Sequence, residues 1–286
     1  MLQRKQNWGF LLGYRAYVLA FFVFLAAPLV SAGTFAFNDS LFPALPWQGF
    51  TLDWFFNDSE PKLGMFHDRR LLRGLYYSFV IALAVAGLSV FVGTCNAFLF
   101  VRCDFPAKNF LYIVMVIPLV IPGVILGISI LVLASSVANG LEEGYGIELD
   151  FLRPGIFLVV MGQFSFIATI TSLVITARLR KFDATMEEAA LNLGASRARV
   201  LATITLPFLR PAMIAAAIVA FLVSFENFNT TLFLVGSESP LTITMFDRMA
   251  KAGSTPVLNA VSFFLMVGSG LLALLSILVQ RDRSRR

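Results

Sequence analysis

Glu226 is the residue of this chain best placed to do chemistry. It stands in SFENFNTTLF, within a long apolar run, with Asn227, Asn229, Thr230 and Thr231 close by. An acid in the middle of a membrane-spanning helix costs about 2.5–3.5 kcal/mol on insertion scales, which makes such a residue a functional candidate by default. Read as helix, the run puts Glu226, Asn229 and Thr230 on one face, at i, i+3 and i+4. One carboxylate, an amide and a hydroxyl in a low-dielectric pathway suit an organic ammonium, through charge pairing and directed acceptors. Two other readings stay open. Glu226 pairs with a basic residue of a partner subunit, or it is protonated and hydrogen-bonds between helices. Gln163, with Ser165, Thr169, Thr171 and Ser172, makes a second polar stripe. It lines the same pathway or acts as interhelical glue.

Composition says what kind of element holds these groups. Of 286 residues, 58% are hydrophobic, 14% are charged and 30 are phenylalanine, against about a quarter charged in an average chain. A bilayer-spanning helix needs about 20 apolar residues. Six segments qualify, at about 16–34, 76–101, 110–134, 155–177, 210–235 and 257–279. The expected fold is an all-α integral membrane protein, with 1–286 as a single transmembrane domain. The first run lacks a clear small-x-small cleavage site followed by a soluble domain and is expected to be retained as a helix rather than removed as a signal peptide.

Orientation follows from lysine and arginine. With the N-terminus inside, the inner segments hold Arg4, Lys5, Arg15, Arg102, Lys108, Arg178, Arg180, Lys181, Arg197, Arg199, Arg210, Arg281, Arg283, Arg285 and Arg286, which is 15 of the 22 basic residues. Glu142, Glu143, Glu148 and Asp150 gather in one outer loop. The net charge of +5 is therefore an orientation signal and implies no nucleic-acid site. Both termini are expected in the cytoplasm.

The polar inner segment 183–207 breaks the pattern of apolar runs. Asp183 is placed to cap a short helix with Met186, Ala189, Ala190 and Leu193 near one face. Glu187 and Glu188 fall in its first turns, where the helix dipole favours negative charge. Gly194 then supplies a left-handed turn at the C-terminal end. A second short helix starts near Ser196 and is expected to stop before Leu206 and Pro207. Two short helices at an angle make a projecting elbow.

The same segment carries Glu188, Ala189, Ala190, then Gly194, then Ile204, Leu206 and Pro207: E-A-A, three residues, Gly, nine residues, I-x-L-P. This spacing resembles the coupling loop in the inner-membrane permease subunits of ATP-binding-cassette importers. The resemblance runs from the second span through the sixth. Length and the acidic fifth span look most like the spermidine/putrescine permease class. It implies a permease subunit in a bacterial inner membrane, with the loop seated in a groove of an ATPase and Glu188 and Gly194 central to coupling. By the same resemblance the partners are two ATP-binding subunits carrying the ATP and Mg, a second homologous permease and an extracytoplasmic solute-binding protein. The solute would be a polyamine such as spermidine or putrescine, with Glu226, Asn227, Asn229, Thr230 and Gln163 on the pathway or its gate. That class commonly has acids where this chain follows Glu226 with the amide Asn227, a departure that bears on the substrate. A different small solute is the main alternative. A secondary transporter with Glu226 as ion site is another, though it leaves the loop without purpose. The chain has no GxxxxGK[ST] phosphate loop, so ATP hydrolysis is expected on its partners. No enzyme activity, cofactor or metal is expected in this chain, whose only histidine is His67.

Three features are less specific. The outer loop at about 35–75 carries Trp47, Trp54, Phe55 and Phe56, which read as an interfacial aromatic belt or as a docking surface. Pro118 and Pro122 are expected to kink the third span, while Gly123 and Gly127 allow close helix approach. Cys95 and Cys103 lie near the inner end of the second span and read as packing residues without a disulfide.

Overall fold

The computed structural model describes residues 8–284; Arg4, Lys5, Arg285 and Arg286 of the charge count lie outside them. Among the described residues the regular secondary structure is helical, apart from one isolated bridge between Asn38 and Phe50. In order the helices are α1 (Trp8–Phe35), α2 (Asp53–Phe56), α3 (Arg69–Arg102), α4 (Lys108–Val120), α5 (Gly123–Tyr145), α6 (Ile156–Leu179), α7 (Thr185–Asn192), α8 (Arg197–Val200), α9 (Leu206–Phe225), α10 (Thr231–Leu234), α11 (Leu241–Ala252) and α12 (Pro256–Ser284). A 3₁₀ turn lies at Asp150–Leu152 and a π turn at Leu201–Thr205. Among the described residues, five helical runs are long and apolar enough to cross a bilayer: α1, α3, α5, α6 and the continuous stretch Arg197–Phe225. Lys108–Val120 and Pro256–Leu271 are shorter apolar helices.

The third span is not the kinked helix 110–134. Helix α4 runs past Pro118 and stops at Val120; Ile121 is extended, at ψ 130°, and α5 begins afresh at Gly123. Pro122 explains the break, because its ring forces the residue before it out of the helical region. The long helix therefore lies at Gly123–Tyr145 and takes in Glu142 and Glu143, which the sequence pattern assigns to a loop.

The described residues form two compact units, one within 1–72 with 248–270 and the other within 73–247 with 271–286. In the second unit α6 is the central helix. Leu158, Val159 and Ile167 pack with Ile81 and Val85 of α3, Ala220 of α9 and Leu234 of α10. Further along, Ile175 and Leu179 pack with Ala97, Leu209 and Ala216. The polar stripe of α6 ties these helices together. The Thr171 hydroxyl donates to the Ser89 carbonyl at 2.7 Å, Thr169 donates to the Met115 carbonyl, and the Asn96 amide donates to Ser172 Oγ at 3.1 Å. Apolar surface gives little drive for helix association in lipid, so such bonds and close packing hold the bundle.

In the first unit the outer loop folds on itself. Trp54 and Phe55 are core residues, not a belt at the headgroups. The Trp54 indole donates to the Asn38 carbonyl at 2.8 Å, and Phe37 and Phe55 pack edge-on against Phe263. Asn38, fully buried, donates to the Ala44 carbonyl and accepts from the Gln48 amide. An aromatic residue with a polar handle is well suited to such a site. Trp47 and Phe56 remain exposed. Asp68 caps α3, accepting from the amides of Arg70 and Leu71, and it pairs with Arg248.

Candidate functional site

The elbow exists, but only its first helix stands free. Asp183 Oδ1 accepts from the Thr185 hydroxyl at 2.8 Å and the Thr185 amide at 3.0 Å, capping α7 from just outside it. These bonds, the hydroxyl's foremost, hold the Asp183 carboxyl below its ordinary value. Gly194 follows with φ +86°, a left-handed conformation that costs other residues. Ser196 Oγ then accepts from the Arg199 amide at 3.3 Å and starts α8.

The second helix does not stop before Leu206 and Pro207. It passes through the π turn Leu201–Thr205 into α9, giving one run from Arg197 to Phe225. Pro207 sits in the first turn of α9, directly after the π turn. Such π turns are rare, occur mostly inside longer helices, and often mark a functional place. At 29 residues and 1.5 Å per residue, this rod is roughly 43 Å long.

The elbow's surface is open. Glu188, Ala189, Gly194 and Pro207 are exposed, while Ala190, Ile204 and Leu206 are half-buried. Helix α7 buries none of its residues, and Leu193 at its end is 89% exposed. Met186, Leu191 and Leu201 are exposed beside it. Glu187, which the sequence pattern places only as a first-turn acid beside Glu188, turns inward instead. Its Oε1 accepts from Arg102 Nη2 at 3.2 Å and from the Thr205 hydroxyl. Two adjacent glutamates on a helix point about 100° apart, so the pattern E-E-A-A alone does not say which of them faces the protein.

At the far end of the rod the fifth span breaks. Helix α9 ends at Phe225 and residues 226–230 are not helical, so Glu226, Asn229 and Thr230 do not share a helical face. The break is built by polar side chains. Asn227 Oδ1 accepts from the Thr231 amide at 3.3 Å and the Thr231 hydroxyl at 3.0 Å, and thereby starts α10. Gln163 is 1% exposed. Its amide donates to Thr231 Oγ1 at 2.8 Å and its carbonyl accepts from Ser224, so it joins both sides of the break to α6. Glu226 and Asn229 remain exposed, whereas Thr230 is buried against α5. There Gly123 and Gly127 let the helix approach so closely that a Cβ on Gly127 would meet the Thr230 carbonyl at 2.8 Å. The sequence signal for the break was the Asn/Thr cluster itself, which favours local side-chain-to-backbone bonds over helix.

The site is thus a surface-open elbow continuous with a broken, apolar helix of a helical bundle. Among the described residues no cluster with metal-ligand spacing occurs. The chain belongs to the family of binding-protein-dependent transport system inner membrane components, whose sequence profile matches residues 86–284. It is thus a non-catalytic, multi-pass inner-membrane permease subunit of an ATP-binding-cassette importer. It is 28% identical over 269 residues to the spermidine/putrescine transport system permease protein PotC of Escherichia coli (strain K12), covering 94% of each chain. It is 31% identical over 217 residues to the molybdenum transport system permease protein ModB of the same strain, covering 73% of this chain and 93% of that one. Its fold matches a chain of a bacterial transporter that imports the acidic polysaccharide alginate, with TM-score 0.70, 18% identity and coverage of 98% and 96%. It also matches a chain of a bacterial alginate transporter solved in complex with an alginate pentasaccharide-bound periplasmic protein, with TM-score 0.68, 18% identity and coverage of 95% and 93%.

Proposed function

We propose that this permease forms part of the pathway for a small organic cation of the polyamine type, and that the elbow 183–207 couples it to ATP hydrolysis on partner subunits. The carrying observation is the single helical rod that joins the exposed elbow to the break at Glu226. An ATPase subunit gripping α7 through Glu188, Ala189, Ala190 and Gly194 would move the rod's near end, with Ile204, Leu206 and Pro207 at its root. The far end would then shift Glu226 and Asn229 within the pathway. In this reading two ATP-binding subunits hold the ATP and Mg. A second homologous permease completes the pathway, and an extracytoplasmic protein delivers the solute. The elbow and both termini face the cytoplasm, as the charge distribution supports.

Polyamine as solute draws support from the likeness to PotC over nearly the whole chain and from an exposed carboxylate at a break in a span. The likeness to ModB, named for molybdenum transport, favours the second reading of a different small solute. Labelled spermidine uptake by the complete transporter, wild type against Glu226→Gln at equal membrane level, tests the choice. Uptake that falls in the variant supports a polyamine pathway through Glu226. An assembled, ATP-hydrolysing transporter that takes up no spermidine removes the polyamine assignment.

A further inference from the structure

We infer that Glu187 is a positioning residue that clasps the elbow to both α3 and the rod, so that motion of α7 reaches the span. This rests on the coupling reading above. Helix α7 has no buried residue, so apolar burial does not fix its angle. An open groove of about 360 Å³ lies beside it, lined by Arg102, Glu187 and Thr205 together with Phe98, Leu191 and Leu201. Covalently, α7 joins the rod through Gly194 at φ +86°, a turn closed by the Gly194 amide donating to the Leu191 carbonyl at 2.9 Å and the Ala195 amide to the Ala190 carbonyl at 3.1 Å, with open space where a Cβ would stand.

Within that groove Glu187 makes two directed bonds with one oxygen. Arg102 donates from the last turn of α3, and Thr205, fully buried, donates from the π turn of the rod. The Glu187 side chain is 23% exposed, which limits screening by water. Charge-assisted bonds of this type are shorter and stronger than neutral ones. Arg102 is itself held in place, its guanidinium lying 5.4 Å from the centre of the Phe182 ring just before the elbow. Three segments therefore meet at one carboxylate. Without it α7 would swing about Gly194, and a pull on its tip would be absorbed there instead of entering α9.

The test measures solute taken up per ATP hydrolysed by the purified, reconstituted complex, with co-purification of the ATPase subunits as a separate readout. Glu187→Gln and Thr205→Val are each expected to assemble and hydrolyse ATP while uptake per ATP falls, by about five- to tenfold for Glu187→Gln, allowing for partial exposure. Exchanging the charges, Glu187→Arg with Arg102→Glu, should recover most of the loss, which a general folding defect would not allow. Unchanged uptake per ATP in both single variants overturns the clasp. So does a charge exchange no better than Glu187→Gln. A wild-type chain that never co-purifies with an ATPase subunit overturns the coupling reading first, and the clasp with it.

Discussion

One added methyl at Gly127 should harm this protein, while the same change at Gly140 of the same helix should help it. An ideal Cβ at Gly127 lies 2.8 Å from the Thr230 carbonyl oxygen and 3.3 Å from Thr230 Cα. The obstacle is backbone, so the break segment or α5 has to move. Forcing an extra carbon into a packed contact costs about 1–3 kcal/mol. Replacing glycine by alanine inside a helix returns about 0.5–1 kcal/mol. The net for Gly127→Ala is a loss of about 0–2.5 kcal/mol, once the helix gain is subtracted from the packing cost. At Gly140 nothing lies within 4 Å, so only the gain of about 0.5–1 kcal/mol remains. The two variants should thus separate by about 1–3 kcal/mol, with wild type between them. Reversible unfolding in mixed micelles gives these differences, and uptake by the complete transporter shows whether the displaced break also impairs transport. Gly127→Ala as stable as Gly140→Ala would refute the reasoning, since it would mean that α5 and residue 230 do not touch.

Three further outcomes are expected. Gly194→Val meets no neighbour but must hold φ +86°, at about 1–2 kcal/mol; uptake should fall with membrane level kept, and unchanged uptake would remove the elbow's geometry from coupling. Asn38→Ala should destabilise the 1–72 unit by about 1–2 kcal/mol, because the Gln48 amide and the Ala44 carbonyl lose their partner; limited proteolysis of the outer loop reads this. The Asp183 carboxyl is held below its ordinary 3.8 by Thr185. A lowered folded value means its contribution is complete above the ordinary value and is lost as pH falls through the lowered one. Hydrogen exchange at the start of α7 should therefore be slower in wild type than in Asp183→Ala at neutral pH, with the gap closing only in strong acid. A gap that closes near pH 6 would point to another titrating group.

The parts of this molecule that were legible in the sequence are those governed by composition or by a fixed local pattern. Long apolar runs marked α1, α3 and α6, because lipid demands about 20 apolar residues in a row. The elbow was visible because Asp183, Gly194 and Ser196 each satisfy a local backbone need at a helix end. Breaks inside apolar runs were harder to see. Hydropathy is the same whether Ile121 is helical or extended, so 110–134 read as one span until Pro122 was given its steric effect on Ile121. Trp54 is a third case. An aromatic residue near a membrane reads as a belt unless its indole finds a partner far along the chain, and the Asn38 carbonyl is such a partner.

The break at 226–230 changes what Glu226 means. An acid on an intact helix within the bilayer would need to be paired or neutral, and the choice among substrate, partner and packing would stay open. At a break, the same carboxylate is exposed beside backbone that is not in helix, and irregular backbone at membrane depth is tolerated only against protein or a water-filled cavity. Asn227, Gln163, Ser224 and Thr231 bond to one another across the break, and none of these bonds includes the Glu226 side chain. The network therefore fixes the position of the break while Glu226 stays available. That division predicts different costs for different variants. Gln163→Leu should loosen the junction of α9 with α6 by about 1–2 kcal/mol, for two interhelical bonds lost. Glu226→Gln should leave stability unchanged and alter only transport. Equal destabilisation by the two, measured by unfolding in micelles, would show that Glu226 belongs to the network after all.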